Sequence, residues 1–251
     1  MQPRRLGLHA VKDARIPRLY VDAVLESRSR LGLPPEAAHH AARVLRLKDG
    51  DVVVLFDGRG GEFEARLAIR GKDKVSAETG ERRDTERESP LQVTLAQAIS
   101  SSDKMDFTIQ KAAELGAAAI HPLLTSKSLV RLSAEREARK VAHWRRVAIA
   151  ACEQCGRNRI PEIREPVALE RYHPTAGSKI LLSPSGSGRL AELAKGPVVL
   201  AAGPEAGFSD SEEQFLLRAG FQPVRLGPRI LRTETAALAA LAALNALAGD
   251  F

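Results

Sequence analysis

From Leu91 to the C-terminus, short apolar runs alternate with helical patterns, and this alternation restricts the chain to few folds. Leu91–Ala98, Ala118–Leu124, Ile180–Leu182, Val198–Ala202 and Phe221–Leu226 read as short strands. Ser102–Leu115 and Ser133–Cys155 carry helical spacing, and Ala236–Ala248 adds a helix with Leu238, Leu241, Leu244 and Leu247 in one stripe. Ser102 is the expected cap of the first helix, and Gly116 its stop. Strand and helix in turn predict an α/β fold with a mostly parallel sheet and helices on its faces. Open sheets of this kind hold ligands outside the carboxyl ends of their strands. There the last three strands run into loops rich in Gly, Pro and Ser: Ser183–Gly188, Gly203–Ser209 and Gly227–Thr233. Ser209 with Glu212 three residues later forms the signature of a capping box.

The first third of the chain reads differently. Arg18–Asp22 looks like an edge strand, Pro35–Arg46 a helix, and Val52–Phe56, Glu62–Ile69 and Lys74–Thr79 strands separated by turns at Asp57-Gly58 and Gly71. This is a small barrel-like module. The charged stretch Glu81–Pro90 reads as a solvated linker. We therefore expect two domains, residues 1–85 and 86–251, with residues 1–15 a basic extension that lacks the apolar core of a targeting peptide.

Lys and Arg outnumber Asp and Glu by 38 to 31, and the pI of about 9.7 suits a polyanionic partner. Two cysteines fit a reducing cytoplasm and exclude a disulfide scaffold. The longest apolar tract, Ala236–Ala248, is too short to cross a bilayer, so no membrane association is expected.

Several chemistries can be weighed from the residues. Cys152 and Cys155 sit near a helix end without a second cysteine pair, so we expect packing and no metal. Gly186-Ser-Gly188-Arg-Leu-Ala191 matches a dinucleotide fingerprint after a strand, but no acid follows at the end of the next strand. A nucleophile elbow with a downstream His is missing, as is a phosphate-binding Gly-Lys-Ser/Thr loop. What remains is a pocket built from the three post-strand loops. It offers mainly backbone N–H and C=O groups, which suits an adenine-bearing ligand read by the main chain.

At these loops the chain resembles the ribosomal RNA small subunit methyltransferase E family. These are SPOUT-class enzymes that methylate N3 of a uridine in 16S ribosomal RNA. The resemblance rests on Lys104–Gly116, Trp144, Ala151–Arg157 with Pro161, Gly203-Pro-Glu-Ala-Gly-Phe208 and Leu226-Gly-Pro-Arg-Ile-Leu-Arg-Thr-Glu-Thr-Ala236, with His39–Asp51 as a further match in the first domain. Three departures stand out. Ala206 occupies the place of a usual Gly, Ser126-Lys127-Ser128 that of Glu-Arg-Ser, and Cys155 that of Ser.

The resemblance implies a C-terminal trefoil knot in the SPOUT-type parallel sheet, a PUA-like N-terminal β-barrel that helps hold RNA, and a homodimer. It implies S-adenosylmethionine as cofactor and 16S ribosomal RNA or the small subunit as partner. Leu182 and Ser183 from the first loop, Ala202, Gly203, Pro204, Glu205 and Gly207 from the second, and Leu226, Gly227, Ile230, Leu231 and Thr233 from the third are expected to bind the cofactor. Arg232 is the candidate catalytic residue, since a fixed cation would stabilise the charge that develops on uracil oxygens. Glu205 is a candidate proton acceptor, with fixing the loop the favoured alternative. Arg18, Arg43, Arg46, Arg157 and Arg229 are the candidate RNA contacts. Two other classes compete with this reading: an NAD-type oxidoreductase and a non-catalytic RNA-binding protein.

Overall fold

The structure is a computed structural model that describes residues 16–70, 74–128, 134–175 and 177–251. The basic extension 1–15 and the turn at Gly71 lie outside the described residues. The chain divides into two units: the chain through Phe56 with Glu62–Arg83, and Asp57–Gly61 with Asp84–Phe251.

The first unit holds β1 (Arg18–Tyr20), β2 (Arg30–Gly32), α1 (Pro35–His39), β3 (Val52–Phe56), β4 (Glu62–Ile69) and β5 (Val75–Arg83). Its five strands follow the order β1-β3-β4-β5-β2, antiparallel except for the parallel β1–β3 pair. Alternation along β3 and β4 sends Val53, Leu55, Phe63, Ala65 and Leu67 into a core with Leu19, Ala37 and Ala41. The helix expected over Pro35–Arg46 is shorter: after α1 the chain widens into a π-helical turn, His40–Val44, and Arg46 has a positive φ of 55°. Only Ala37, Ala38 and Ala41 are buried there, leaving Arg43, Val44, Leu45 and Arg46 exposed.

The second unit holds a sheet of order β12-β10-β11-β6-β7-β8, all parallel, with β9 also on β7. These strands are β6 (Val93–Ala98), β7 (Ala119–Leu124), β8 (Glu162–Ile163), β9 (Val167–Ala168), β10 (Ser178–Leu182), β11 (Val198–Ala202) and β12 (Gln222–Val224). The helices are α2 (Ser102–Glu114), α3 (Ala134–Cys155), α4 (Leu190–Leu193), α5 (Asp210–Arg218) and α6 (Thr233–Ala248). A parallel sheet is covered on both faces, and two apolar clusters flank this one. Leu95, Ile109, Trp144, Leu200 and Leu241 belong to one, and Ala96, Leu123, Leu181, Phe208 and Leu216 to the other. In α6 the buried face is Ala237, Ala240, Leu241 and Leu244, whereas Leu247 is 50% exposed, so the leucine stripe only partly marks the core. Among the described residues, no helix is long and apolar enough to cross a membrane.

Glu81–Pro90 is solvated as expected, all but Thr85, Glu88 and Ser89 being exposed, but the expectation of a free linker is corrected. Glu81–Arg83 extend β5, and the rest is pinned within the second unit. Glu86 pairs with Arg159 at 2.7 Å, Thr85 O accepts from Asn158, and Glu88 receives Arg157. Ser89 is buried and donates to Asn245 Oδ1 at 2.6 Å, while Asn245 Nδ2 donates to Leu115 O at the end of α2. The charges that look solvated in sequence are matched by charges about 70 positions away, a pairing that local patterning cannot register. Likewise Ser102 opens α2 but does not cap it. Ser101 holds the N-cap position, without a side-chain cap bond.

Candidate functional site

The carboxyl edge of the parallel sheet carries a cavity of about 460 Å³ between the loops after β10, β11 and β12. That volume lies within the usual range for small-molecule sites. Leu182, Ser183, Ala202, Gly203, Pro204, Glu205, Gly207, Leu226, Gly227, Ile230, Leu231, Arg232 and Thr233 all line it, together with Arg229. Phe208, within the middle loop, and Arg225, beside the third, line it too, while Lys104 of α2 and Glu213 of α5 were not foreseen, because they come from helices outside the three loops.

Each loop has its own physical anchor. The middle loop leaves β11 at Ala202 and enters α5 through the capping box: Ser209 Oγ accepts from Glu212 N–H, and Glu212 Oε2 accepts from Ser209 N–H at 2.7 Å. Glu212 Oε1 also accepts Ser126 N–H at 2.7 Å, and Lys127 Nζ donates to Ala206 O at 3.3 Å and Phe208 O at 3.2 Å. The Ser126-Lys127-Ser128 segment thus buttresses the loop. Burial works to raise the Glu212 carboxyl pKa, but the N–H groups of Ser209 and Ser126 outweigh it and hold the carboxyl below its usual value. Gly207 takes the left-handed conformation, φ 68°, and Ala206 does not, which is why the loop tolerates a Cβ at the departed position.

Glu205 reaches from this loop to the start of α2. Its Oε1 accepts Ser101 N–H at 3.0 Å and lies 3.4 Å from Lys104 Nζ. Partial burial favours the neutral acid, yet the hydrogen bonds from Ser101, its own backbone N–H and Lys104 lower its pKa. A carboxylate held this way is a weak base, so the geometry favours the loop-fixing role.

The third loop ends at Arg232, the N-cap residue of α6, whose C=O accepts Ala236 N–H at 2.8 Å. Thr233 Oγ1 donates a short hydrogen bond to Gly203 O, joining the second and third loops. In the first loop Ser183 Oγ lies 2.9 Å from Ser185 Oγ and 3.2 Å from Glu213 Oε1. The dinucleotide-like glycines here serve packing. A Cβ on Gly186 would lie 2.6 Å from the backbone of Pro223 and Val224, and Gly188 N–H bonds Pro223 O at 3.0 Å. Their small size lets the loop press against β12, and no phosphate need be invoked.

Two expected RNA contacts are corrected. Arg18 is buried against Glu62 at 2.7 Å, with side-chain exposures of 7% and 8%, and stacks 4.8 Å from the Phe56 ring centroid. Arg157 is 4% exposed and gives both edges of its guanidinium away: Nε and Nη2 to Glu88, Nη1 to Ala113 O at 2.7 Å and Ala117 O at 3.1 Å. Neither guanidinium faces a polyanion, since each is spent inside its own unit. Arg43, Arg46 and Arg229 are exposed. Cys152 is buried, its thiol 3.6 Å from Arg159 O, and acts as a packed helix residue.

Comparison with known proteins agrees with this architecture. Residues 87–245 match an RNA methyltransferase domain, and residues 33–79 an RNA methyltransferase PUA domain. The chain is 35% identical to the ribosomal RNA small subunit methyltransferase E of Buchnera aphidicola, over 96% of this chain and 98% of that protein. It is 32% identical to the Bacillus subtilis protein of the same name, covering 88% and 91%. Its structure superposes with a TM-score of 0.86 on the Neisseria gonorrhoeae methyltransferase E solved with S-adenosyl methionine, at 40% identity over 94% of this chain and 99% of that one. A Legionella pneumophila protein described as a methyltransferase, solved with bound SAM, gives a TM-score of 0.90 at 40% identity, covering 94% and 100%. With an N-terminal PUA-type module, a parallel sheet and three loops walling a cavity at its carboxyl edge, the chain belongs to the ribosomal RNA small subunit methyltransferase E family.

Proposed function

We propose that the protein methylates N3 of a uridine in 16S ribosomal RNA, using S-adenosylmethionine held in the cavity at the sheet's carboxyl edge. The observation that carries this reading is the cavity's wall: apolar side chains and main chain from three loops, with the arginine Arg232 at the junction into α6. Leu182, Leu226 and Ala202 offer apolar surface for an adenine. Gly203, Pro204 and Gly207 of the middle loop line the cavity with little side chain of their own. When bound, S-adenosylmethionine supplies an electrophilic methyl on a sulfonium centre. Uracil must lose its N3 proton to receive the methyl, and negative charge then spreads onto O2 and O4. Arg232 stabilises that charge as a permanently protonated, planar donor and for the same reason does not serve as base. Glu205 fixes the loop, and the proton passes to solvent.

The same reading extends to architecture. We assign residues 1–85 to a PUA-like barrel that grips RNA and residues 86–251 to methyl transfer. Exposed Arg43 and Val44 end the π-helical turn and exposed Leu45 and Arg46 follow it, a mixed basic and apolar surface suited to RNA. Arg229, exposed at the cavity, is assigned to substrate phosphate. We also assign the C-terminal part a trefoil knot, on the resemblance to SPOUT-class enzymes. A homodimer and a cytoplasmic setting complete the assignment. Two free cysteines support the second.

The test joins two measurements. Calorimetric titration with S-adenosylhomocysteine should show binding. Small subunits lacking the modification, incubated with protein and S-adenosylmethionine and digested to nucleosides, should yield N3-methyluridine. Binding without any methylated nucleoside, or a methyl on another base atom, would defeat the assignment.

A further inference from the structure

Gln97 is out of place on β6. The strand reads Val-Thr-Leu-Ala-Gln-Ala, and Gln97 is 0% exposed in it. It stands in register with Ala202 of β11 and Pro122 of β7, at the carboxyl edge of the sheet. Its amide nitrogen donates to Thr233 Oγ1 at 3.0 Å and Ala98 O at 3.0 Å, with a longer contact to Gly203 O at 3.4 Å. The Thr233 hydroxyl spends its own proton on Gly203 O, so toward Gln97 it can only accept. One buried amide therefore ties together two loops of the cavity, although Gln97 is not itself part of the wall.

Stability alone does not account for this residue. Gln97 Oε1 is buried and has no hydrogen-bond partner among the described residues. A buried amide with an orphaned oxygen is costly, and a leucine of similar volume at this fully buried position would avoid that cost. The amide does provide a donor at the one point where Gly203 and Thr233 meet, one residue from Arg232.

We infer that Gln97 is a positioning residue for methyl transfer: by clamping Thr233 to Gly203 it sets where Arg232 meets the substrate. The inference rests on the role given to Arg232 above. Gln97 touches neither cofactor nor RNA, and its effect travels through the first residue of α6.

Two variants of the full chain test it, each assayed for thermal unfolding, S-adenosylhomocysteine affinity and methyl transfer to small subunits across pH. Gln97→Leu keeps the volume and removes the donor. Its melting temperature should hold or rise while kcat at saturating cofactor falls about tenfold or more. Gln97→Glu is isosteric, but its ionised form has no proton to offer and faces the Gly203 carbonyl. Protonation restores one donor, and burial raises a carboxyl pKa. Its activity relative to wild type should therefore climb as pH falls from about 8 to about 6. A purely structural residue would recover only in the amount of folded protein, with no change in kcat per folded molecule. Gln97→Leu with wild-type kcat, a kcat loss that follows only the loss of folded protein, or a flat ratio for Gln97→Glu would each overturn the inference. The wild type separates the two readings. Normal N3-methyluridine formation beside an unimpaired Gln97→Leu sinks this inference alone. No N3-methyluridine from the wild type sinks the functional reading, and this inference with it.

Discussion

Truncating Arg157 should unfold the protein at a lower temperature without altering how the folded molecule holds RNA. The side chain is 4% exposed and its Glu88 partner 17%. Arg157→Ala removes the guanidinium bonds to both Glu88 oxygens and to Ala113 O and Ala117 O. It leaves a half-buried carboxylate and Ala117 O, just past α2, without that donor, whereas Ala113 O keeps the Gly116 N–H. Breaking a buried, hydrogen-bonded pair from one side costs about 3–5 kcal/mol. For a domain of this size each kcal/mol moves Tm by about 2–4 °C, so the expected drop is about 6–20 °C. Arg157→Met with Glu88→Leu should recover part of this, because the stranded charge disappears, but not all, because Ala117 O still lacks a donor. The assay is thermal unfolding followed by circular dichroism, with RNA affinity measured per mole of folded protein. An unchanged Tm with weakened RNA binding would refute the structural account and restore Arg157 to the RNA-binding surface.

Arg232→Ala should lower kcat on the order of a hundredfold or more while leaving S-adenosylhomocysteine affinity nearly intact, and lysine should rescue only in part. A turnover number that barely moves would remove Arg232 from the chemistry. Gly207→Arg forces a long side chain onto a left-handed backbone at the cavity wall. Calorimetry should show cofactor binding lost with the circular dichroism spectrum retained. Arg43→Glu with Arg46→Glu should weaken RNA binding and flatten its salt dependence by about one slope unit for each phosphate no longer neutralised, at unchanged Tm. Full affinity in that pair would clear the π-helical turn of an RNA role. Glu212→Gln should destabilise the protein by about 1–3 kcal/mol at neutral pH. Because its carboxyl pKa is lower in the folded chain than in the unfolded one, its stabilisation is complete above the ordinary glutamate range and is lost as pH falls through the folded value. Urea titrations of wild type and variant should therefore converge in acid, and a gap that persists there would contradict the linkage.

What the sequence determined by itself was local in origin. Period and punctuation placed the parallel strands β6, β7, β10 and β11 and the helices α2 and α3 within a few residues, because apolar spacing and Gly or Ser boundaries act over one element. Ser209 and Glu212 announced their capping box from three residues apart. The loops at the carboxyl ends of the strands were legible as a ligand site because the sheet's polarity dictates where such loops gather. Short β2, β8 and β9 were missed, since two or three residues carry no period. The π-helical turn was missed as well, since an apolar stripe does not distinguish one extra residue per turn.

Tertiary structure decided what charge and polarity mean. Arg157 and Arg46 look alike as basic residues, yet one is enclosed by Glu88 and two carbonyls while the other stands in solvent. Lys127 became a brace for the Gly203–Ser209 loop only when the fold brought it within 3.3 Å of two carbonyls about 80 positions away. Gln97 looked like an ordinary strand residue until folding placed it beneath Thr233 and Gly203. Sequence patterning records the preferences of neighbours along the chain. A guanidinium, an ammonium or an amide takes its role from whichever partners lie within about 3 Å, and chain closure over many tens of residues supplies those partners.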